Sequence, residues 1–168
     1  RDLTKYFPVT KGLIFSKQIG AIKAVDGISF TINRGETFGL VGESGCGKTT
    51  TSRLILLLEE ITSGTLLFEG TDISQLARTE FERYRASVQA VFQDPYSSLS
   101  PRMKVGKIIA EPIVINDDLN PKEIRERVAS LLEVVGLRKD ADVLYPHEFS
   151  GGQRQRIAIA RALAPDPR

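Results

Sequence analysis

The sequence has few features that would crosslink the chain or anchor it in a membrane. It contains one cysteine, Cys46, in 168 residues, which excludes a framework of internal disulfides and fits a reducing compartment. The longest apolar runs, such as 54–58, are far shorter than the roughly 20 residues that a membrane-spanning helix needs. No N-terminal stretch has the pattern of a secretion signal. We therefore expect a globular domain that reaches a membrane only through a partner.

The sequence also lacks a marked excess of charge of either sign. The 23 Lys and Arg residues against 21 Asp and Glu residues leave a net charge of +2, which is too small to indicate nucleic-acid binding by itself. The chain begins with Arg1 rather than Met and stops at Arg168, directly after a helical pattern. We expect it to be a piece of a longer protein.

Residues 28–58 combine predicted strands, a glycine-rich loop and a helix start. The alternating run 28–32 is predicted to be a half-buried strand, and the apolar run 37–41 a buried one, with a turn between them. The loop 42–49 reads Gly-Glu-Ser-Gly-Cys-Gly-Lys-Thr, and residues 48–58 are predicted to be helical. Strand, glycine-rich loop and helix in this order are the context of a phosphate-binding P-loop.

The P-loop pattern predicts a site for the triphosphate of a nucleotide. Its glycines allow the backbone to wrap closely around phosphates, and the N–H groups of residues 45–49 would face them at the helix N-terminus. Lys48 would reach the β- and γ-phosphates, and the Thr49 hydroxyl would be a ligand of Mg²⁺. The residues expected to contact the nucleotide are Gly42, Ser44, Gly45, Cys46, Gly47, Lys48, Thr49 and Thr50.

Cys46 has two interpretations. It is either a small residue that fills a turn position, or a thiol made reactive by the positive field of the loop. Labelling with a maleimide, with and without ATP, distinguishes the two.

Later segments carry weaker strand and helix patterns. Residues 65–69 and 87–92 are predicted as strands, and residues 103–115 as a helix that Pro112 kinks or ends. A last helix is expected to start near Ser150.

Residues 121–135 give the clearest helical pattern. Asn120 suits the N-cap, Pro121 suits the first helical position, and Glu123 stands where a capping box has its acid. Gly136 is placed to end the helix.

Residues 149–153, Phe-Ser-Gly-Gly-Gln, provide a second helix start that could face an anion. With residues 154–163 behind them, they resemble the signature of the ABC transporter ATPases. That family usually has leucine at the first position, where this chain has Phe149. The resemblance implies that Ser150, Gly151, Gly152 and Gln153 contact a nucleotide held by the P-loop of a second domain, packed head to tail.

Two further assignments follow from the same resemblance. Gln93 corresponds to the Q-loop glutamine, which approaches Mg²⁺ and the attacking water. Lys48 and Gln93 are therefore the expected catalytic residues, and Thr49 and Gln93 the expected metal ligands. Phe7 falls where the family stacks an aromatic ring on adenine; Tyr6 is the alternative stacking residue, and a plain core role for Phe7 stays open. His147, the only histidine, precedes the signature and is assigned no catalytic role.

Longer stretches resemble the ATPases of dipeptide and oligopeptide importers, in particular the second of their two unlike ATPase subunits. These stretches are residues 7–12, 24–30, 41–48, 91–102 and 145–153. The resemblance implies a heterodimer with a second ATPase subunit, bound to transmembrane permease subunits at the cytoplasmic face of the inner membrane. It implies no nucleic-acid partner, and the sequence does not indicate which substrate is carried: a dipeptide, an oligopeptide, nickel or glutathione.

The implied fold is α/β: a RecA-like P-loop NTPase core with an antiparallel β subdomain and an α-helical subdomain, truncated before the Walker B strand. Residues 1–95 would form the β subdomain and the first part of the core, and residues 96–164 the helical subdomain. Since the family's catalytic carboxylates would follow Arg168, we expect this chain alone to bind ATP without turning it over. Two alternatives stay open: a soluble ABC-type ATPase of DNA repair or translation, and a non-catalytic nucleotide-binding partner subunit.

Overall fold

The computed structural model describes residues 1–11, 17–94 and 98–168, which divide into two compact units, residues 1–81 and 82–168. The first unit opens with two paired antiparallel strands. A helix follows the P-loop, and a two-residue hairpin and a single turn of 3-10 helix come after it. The elements are β1 (Leu3–Lys11), β2 (Lys17–Ile28), α1 (Lys48–Ile55), β3 (Leu67–Phe68), β4 (Thr71–Asp72), the 3-10 turn Ile73–Gln75, and α2 (Arg78–Ser87), which runs across the boundary between the units.

The core of the first unit joins the strand pair to the helix that follows the P-loop. Leu3 of β1, Val25 of β2 and Leu54 of α1 pack together and are almost completely buried. Thr4 of β1 also exchanges backbone hydrogen bonds with residues 62–63, at 2.9 and 3.0 Å. The helix and the segment after it are therefore both fixed to β1 and β2.

The second unit is a helical bundle. Its helices are α3 (Val105–Asn116), α4 (Pro121–Val134) and α5 (Gly151–Leu163), with 3-10 segments at Lys139–Val143 and Pro146–Glu148. The three helices share a core whose most buried large side chains are Ile108, Ile109, Ile113, Leu132 and Ile157. The prediction of a helix over 103–115 is confirmed within two residues, and Pro112 lies inside α3 without ending it.

The predicted ends of α4 are confirmed in detail. The Asn120 side chain accepts hydrogen bonds from the backbone N–H groups of Lys122 and Glu123, and the Glu123 carboxylate accepts from Asn120 N at 2.8 Å. At the other end Gly136 adopts φ +70°, and Leu137 N donates to Leu132 O at 2.8 Å. This is a Schellman turn, in which a left-handed residue satisfies the last carbonyls of the helix.

The predicted strands 28–32, 37–41 and 87–92 are wrong. The structure describes every residue of these three segments. Ile28 is the last residue of β2 and Ser87 the last residue of α2, and the remaining residues of the segments lie in no strand. Many of their large apolar side chains are exposed: Ile32, Phe38, Leu40, Val91, Phe92 and Val41, the last by 88%. A strand exists only where a neighbour completes its hydrogen-bond ladder, and no described residue pairs with these segments. Only the turn at 33–36 is confirmed, closed by a 3.0 Å bond from Glu36 N to Asn33 O.

Two other predicted elements are shorter than expected. α1 ends at Ile55 rather than at residue 58, because Leu57 takes a left-handed conformation, φ +54°, and Leu58 N donates to Arg53 O in a Schellman turn. The strand predicted over 65–69 is reduced to β3, which ends at Phe68 and is followed by a turn in which Glu69 has φ +49° and Gly70 has φ +84°. The helix α2 was not predicted.

No helix in the described parts of the chain is both long enough and apolar enough to span a bilayer.

Candidate functional site

The P-loop turns into α1 through two glycines in the left-handed region. Gly45 has φ +84° and Gly47 has φ +93°, and Gly47 is the N-cap of α1, whose first turn begins at Lys48. No side chain caps this helix start, so its first N–H groups are available to an anion. Ser44 and Thr49 are exposed and Thr50 is half-buried. Residues 45–50 thus form a glycine turn that leads into a helix start without a side-chain cap.

The Lys48 ammonium lies over the loop. It donates hydrogen bonds to the carbonyl oxygens of Gly42 at 2.8 Å and Glu43 at 2.6 Å, and it is 3.5 Å from the Cys46 sulfur. Cys46 is exposed. The positive charge is thus held against the same backbone that would surround a phosphate group.

The loop is fastened to the first unit by close packing. A Cβ added to Gly47 would stand 2.2 Å from the Ala24 carbonyl oxygen of β2, so the loop backbone touches the strand where only glycine fits. Two turns of α1 add to this anchor. The buried Thr51 hydroxyl donates to Gly47 O at 3.0 Å, and Leu54 is fully buried.

The two aromatic candidates on β1 have different surroundings. The half-buried Phe7 ring has the Lys5 ammonium 4.8 Å from its centroid. The Tyr6 hydroxyl donates to Asp26, and the Lys23 ammonium lies 5.2 Å from the Tyr6 ring. Sequence reasoning did not single out Lys5; its signal was its position two residues from Phe7 on a strand, which gives the two side chains a common face.

Asp26 joins Tyr6 and Lys23 into a small exposed network. The Tyr6 hydroxyl and then the Lys23 ammonium, 3.2 Å from Asp26 Oδ2, hold the pKa of the Asp26 carboxyl below its usual range. The hydrogen bond from Lys23 to Asp26 raises the pKa of the lysine. The Tyr6 side chain therefore already has partners within the strand pair, Asp26 and Lys23.

The signature segment forms a capped helix start, as predicted. Ser150 is the N-cap of α5; its Oγ accepts from Gln153 N at 3.3 Å, and Gln153 Oε1 accepts from Ser150 N at 2.9 Å. Gly151 and Gly152 are exposed, and an added Cβ would meet nothing within 4 Å at either one. Because a hydroxyl that accepts from a backbone N–H still has its own proton to donate, Ser150 can also bind an anion.

The remaining predicted residues are placed as follows. Gln93 is exposed, and residues 95–97 of the stretch after it lie outside the described residues. Gln93 and Ser150 belong to the second unit, and the P-loop belongs to the first. His147 lies in a 3-10 turn, with its ring stacked on Tyr145 at 5.7 Å. Within the described ranges no three His, Cys, Asp or Glu side chains form a cluster that could hold a metal ion.

The relatives found by comparison with known proteins are ATP-binding proteins of peptide transport. The chain is 51% identical over 165 residues to the dipeptide transport ATP-binding protein DppF of Haemophilus influenzae, covering 98% of this chain and 50% of that protein. It is 49% identical to the oligopeptide transport ATP-binding protein AppF of Bacillus subtilis, covering 99% of this chain and 51% of that one. The chain thus spans about half the length of the curated relatives it matches.

A solved structure and a family model complete the comparison. The fold is similar, with a TM-score of 0.77 and 27% identity, to the ATP-binding cassette MJ0796 in a dimeric post-hydrolysis state bound to ADP and Pi, covering 98% of this chain and 70% of that one. This likeness confirms the predicted fold class. The model of the ABC transporter family matches residues 25–168. The chain belongs to the ABC transporter family.

Proposed function

We propose that this chain binds ATP with Mg²⁺ at residues 42–50 and belongs to a protein that hydrolyses ATP to drive peptide import. The observation that carries the proposal is the Lys48 ammonium held over the glycine loop at the uncapped start of α1. The relatives add the substrate class, because DppF and AppF are named as dipeptide and oligopeptide transport ATP-binding proteins.

The loop supplies what a triphosphate needs. Unpaired N–H groups at a helix start and the positive end of the helix dipole favour an anion. Lys48 adds a mobile cation, which would exchange the carbonyls of Gly42 and Glu43 for phosphate oxygens. The glycines allow the backbone to come within hydrogen-bond distance of the phosphates.

The Thr49 hydroxyl at the loop is the kind of oxygen ligand that Mg²⁺ takes. This ion takes oxygen ligands, retains several waters, and is commonly held by one or two protein oxygens together with substrate phosphates. The exposed Thr49 hydroxyl at the start of α1 is one such oxygen. The Gln93 side-chain oxygen is the proposed second one. Bound Mg²⁺ would neutralise charge on the phosphates during phosphoryl transfer.

Phe7 is the proposed stacking residue for the adenine. Its ring is half-buried, which leaves part of an aromatic face for a planar base. Tyr6 is the weaker candidate, because its hydroxyl is bonded to Asp26 and its ring faces Lys23.

A second copy or a related subunit would complete the site. In this proposal the start of α5, with Ser150, Gly151, Gly152 and Gln153, faces the nucleotide of the partner's P-loop. The dimeric state of the similar cassette MJ0796 supports this arrangement. We propose a heterodimer with a second ATPase subunit that binds permease subunits at the cytoplasmic face of the membrane. Co-purification of the full-length protein with membranes and a permease would test this, and a purely cytosolic protein without one would contradict it.

Turnover needs both half-sites and a residue that positions the attacking water. We therefore expect the 168-residue chain alone to bind ATP without sustained hydrolysis, and the full-length protein to be an ATPase. Steady multiple turnover by the purified chain would contradict this part of the proposal.

Cys46 provides a direct test of nucleotide occupancy. The thiol is exposed and lies 3.5 Å from the Lys48 ammonium, within the loop that would close around the phosphates. We expect a maleimide to label Cys46 rapidly in the free chain and about ten times more slowly with Mg-ATP at about ten times its Kd, because about 90% of the sites are then occupied and protected. Mass spectrometry of the labelled chain measures both rates. Equal rates with and without ATP would argue against a nucleotide at this loop.

Ser150 tests the role of α5 in the dimer, with Asn120 as a matched control. Each residue is the N-cap of a helix with a complete capping box, so Ser150→Ala and Asn120→Ala should each cost about 1 kcal/mol of stability. Only Ser150→Ala should impair ATP-dependent dimerisation of the full-length protein, because only Ser150 would face a phosphate. Light scattering with and without ATP measures the dimer. If both variants dimerise like the wild type, the role assigned to Ser150 is wrong.

A further inference from the structure

Lys5 on β1 is a largely buried lysine in the first unit. Its side chain is only 12% exposed, whereas that of Lys23 on β2 is 60% exposed. A lysine is rarely buried to this extent unless partners compensate for its lost hydration. The contacts of Lys5 therefore indicate its structural role.

The Lys5 ammonium has two oxygen partners just beyond α1. It forms an ion pair with the Glu59 carboxylate at 3.3 Å and donates a hydrogen bond to the Glu60 carbonyl oxygen at 2.8 Å. Glu59 is itself only 26% exposed, so water screens this pair less than a surface pair. Lys5 thus connects β1 to the segment that follows α1.

The third partner of Lys5 is the ring of Phe7. The ammonium lies 4.8 Å from the ring centroid, within the roughly 6 Å over which a cation is attracted to an aromatic face. This contact occupies one face of the ring, so a planar ligand would stack on the opposite face. A cation on one face also draws electron density through the ring, which makes the opposite face a better stacking partner for an electron-rich purine.

Tyr6 and Lys23 show that this arrangement is specific to Phe7. Lys23 also lies over an aromatic ring, that of Tyr6 at 5.2 Å, but it is exposed and its anion partner is Asp26 on its own strand. The Tyr6 and Lys23 side chains are both bonded to Asp26 of β2, and Tyr6 reaches the segment after α1 through its backbone N–H, which donates to Thr62 Oγ1 at 3.0 Å. Lys23 over Tyr6 is therefore a control within the same strand pair for the effect of Lys5 over Phe7.

We propose that Lys5 is a positioning residue for the nucleotide base. It fixes the Phe7 ring relative to the segment that follows α1, and so helps to set the distance between the base-stacking face and the phosphate-binding loop. The inference rests on the proposed function, in which Phe7 stacks on the base. It adds that recognition of the base depends on a lysine that does not touch the nucleotide.

The test compares a ligand that has a base with one that does not. Lys5→Met removes the charge but keeps a long apolar side chain. We expect it to weaken Mg-ATP binding to the chain about three- to tenfold and to leave the binding of Mg-tripolyphosphate unchanged within error. Lys23→Met should leave both affinities unchanged. Calorimetric titration measures all of them, with thermal melting as the check on folding.

A double-mutant cycle shows whether Lys5 acts through Phe7. Phe7→Leu should weaken ATP binding and not tripolyphosphate binding, and adding Lys5→Met to it should cause no further loss. If Lys5→Met does not fold, Lys5→Arg and Glu59→Gln replace it. The arginine variant should keep the preference for ATP over tripolyphosphate, and the glutamine variant should reduce it.

The outcomes separate this inference from the proposed function. The positioning role would be overturned if Lys5→Met weakened the binding of ATP and of tripolyphosphate equally. It would also be overturned if Lys5→Met weakened ATP binding as much in the Phe7→Leu variant as in the wild type. Failure of the wild-type chain to bind either ligand would overturn the proposed function instead.

Discussion

Replacing Gly47 with alanine should destabilise the first unit by about 3 kcal/mol and abolish nucleotide binding. The substitution forces an L side chain into the left-handed region at φ +93°, which costs about 1–2 kcal/mol. It also places a methyl group 2.2 Å from the Ala24 carbonyl oxygen, an overlap that requires the loop or β2 to move at a cost of about 1–3 kcal/mol. Chemical denaturation followed by circular dichroism measures the first effect, and titration with ATP the second.

Gly45→Ala is the matched control for this prediction. Gly45 has a similar backbone conformation, φ +84°, but an added Cβ would meet no atom within 4 Å. Gly45→Ala should therefore lower the free energy of unfolding only by the roughly 1–2 kcal/mol of backbone strain. Equal destabilisation by the two substitutions would show that the contact between Gly47 and Ala24 does not constrain the loop.

Lys48→Met should leave the fold intact and weaken ATP binding by about ten- to a hundredfold, the range expected for a lost charge-assisted hydrogen bond. The ammonium is bonded to the carbonyls of Gly42 and Glu43 and forms no part of the buried core. Methionine is unbranched and one heavy atom shorter than lysine, so the variant removes the charge with little change in packing. Equilibrium titration with a fluorescent ATP analogue measures the change.

Lys17→Met controls for the loss of one positive charge. Lys17 is exposed at the start of β2, and its removal changes the net charge by the same amount. ATP affinity should be unaffected in this variant. A loss equal to that of Lys48→Met would mean that Lys48 acts only through the overall charge of the chain.

The helices were predictable because their signals are local. Asn120, Glu123 and Gly136 specify the ends of α4 through bonds to residues within one turn, and Ser150 does the same for α5. The loop 42–49 was predictable for a similar reason, since its glycines and Lys48 define the turn and the helix start together. Helix α2 was missed because its sequence is polar and has few apolar positions to form a helical pattern. Tyr84 of this helix is buried, which raises the pKa of its hydroxyl to about 12.

The predicted strands 28–32, 37–41 and 87–92 failed for the opposite reason. An apolar run shows that a segment can form a strand, but its partner lies elsewhere in the sequence and is not encoded in the run itself. β1 and β2 do form, because they pair with each other. Lys5 was missed for the same reason, because its partners Glu59 and Glu60 are more than fifty residues away and nothing in residues 4–7 points to them.

The contact between Gly47 and Ala24 has a consequence for the entropy of binding. A free glycine-rich loop would lose on the order of 1–2 kcal/mol of backbone freedom per residue when a ligand ordered it. Here the glycine bend is already held by β2, by the buried Thr51 and by Leu54, so this freedom is lost when the chain folds. The nucleotide meets a loop whose shape is set in advance, and more of the interaction energy with its phosphates appears as affinity.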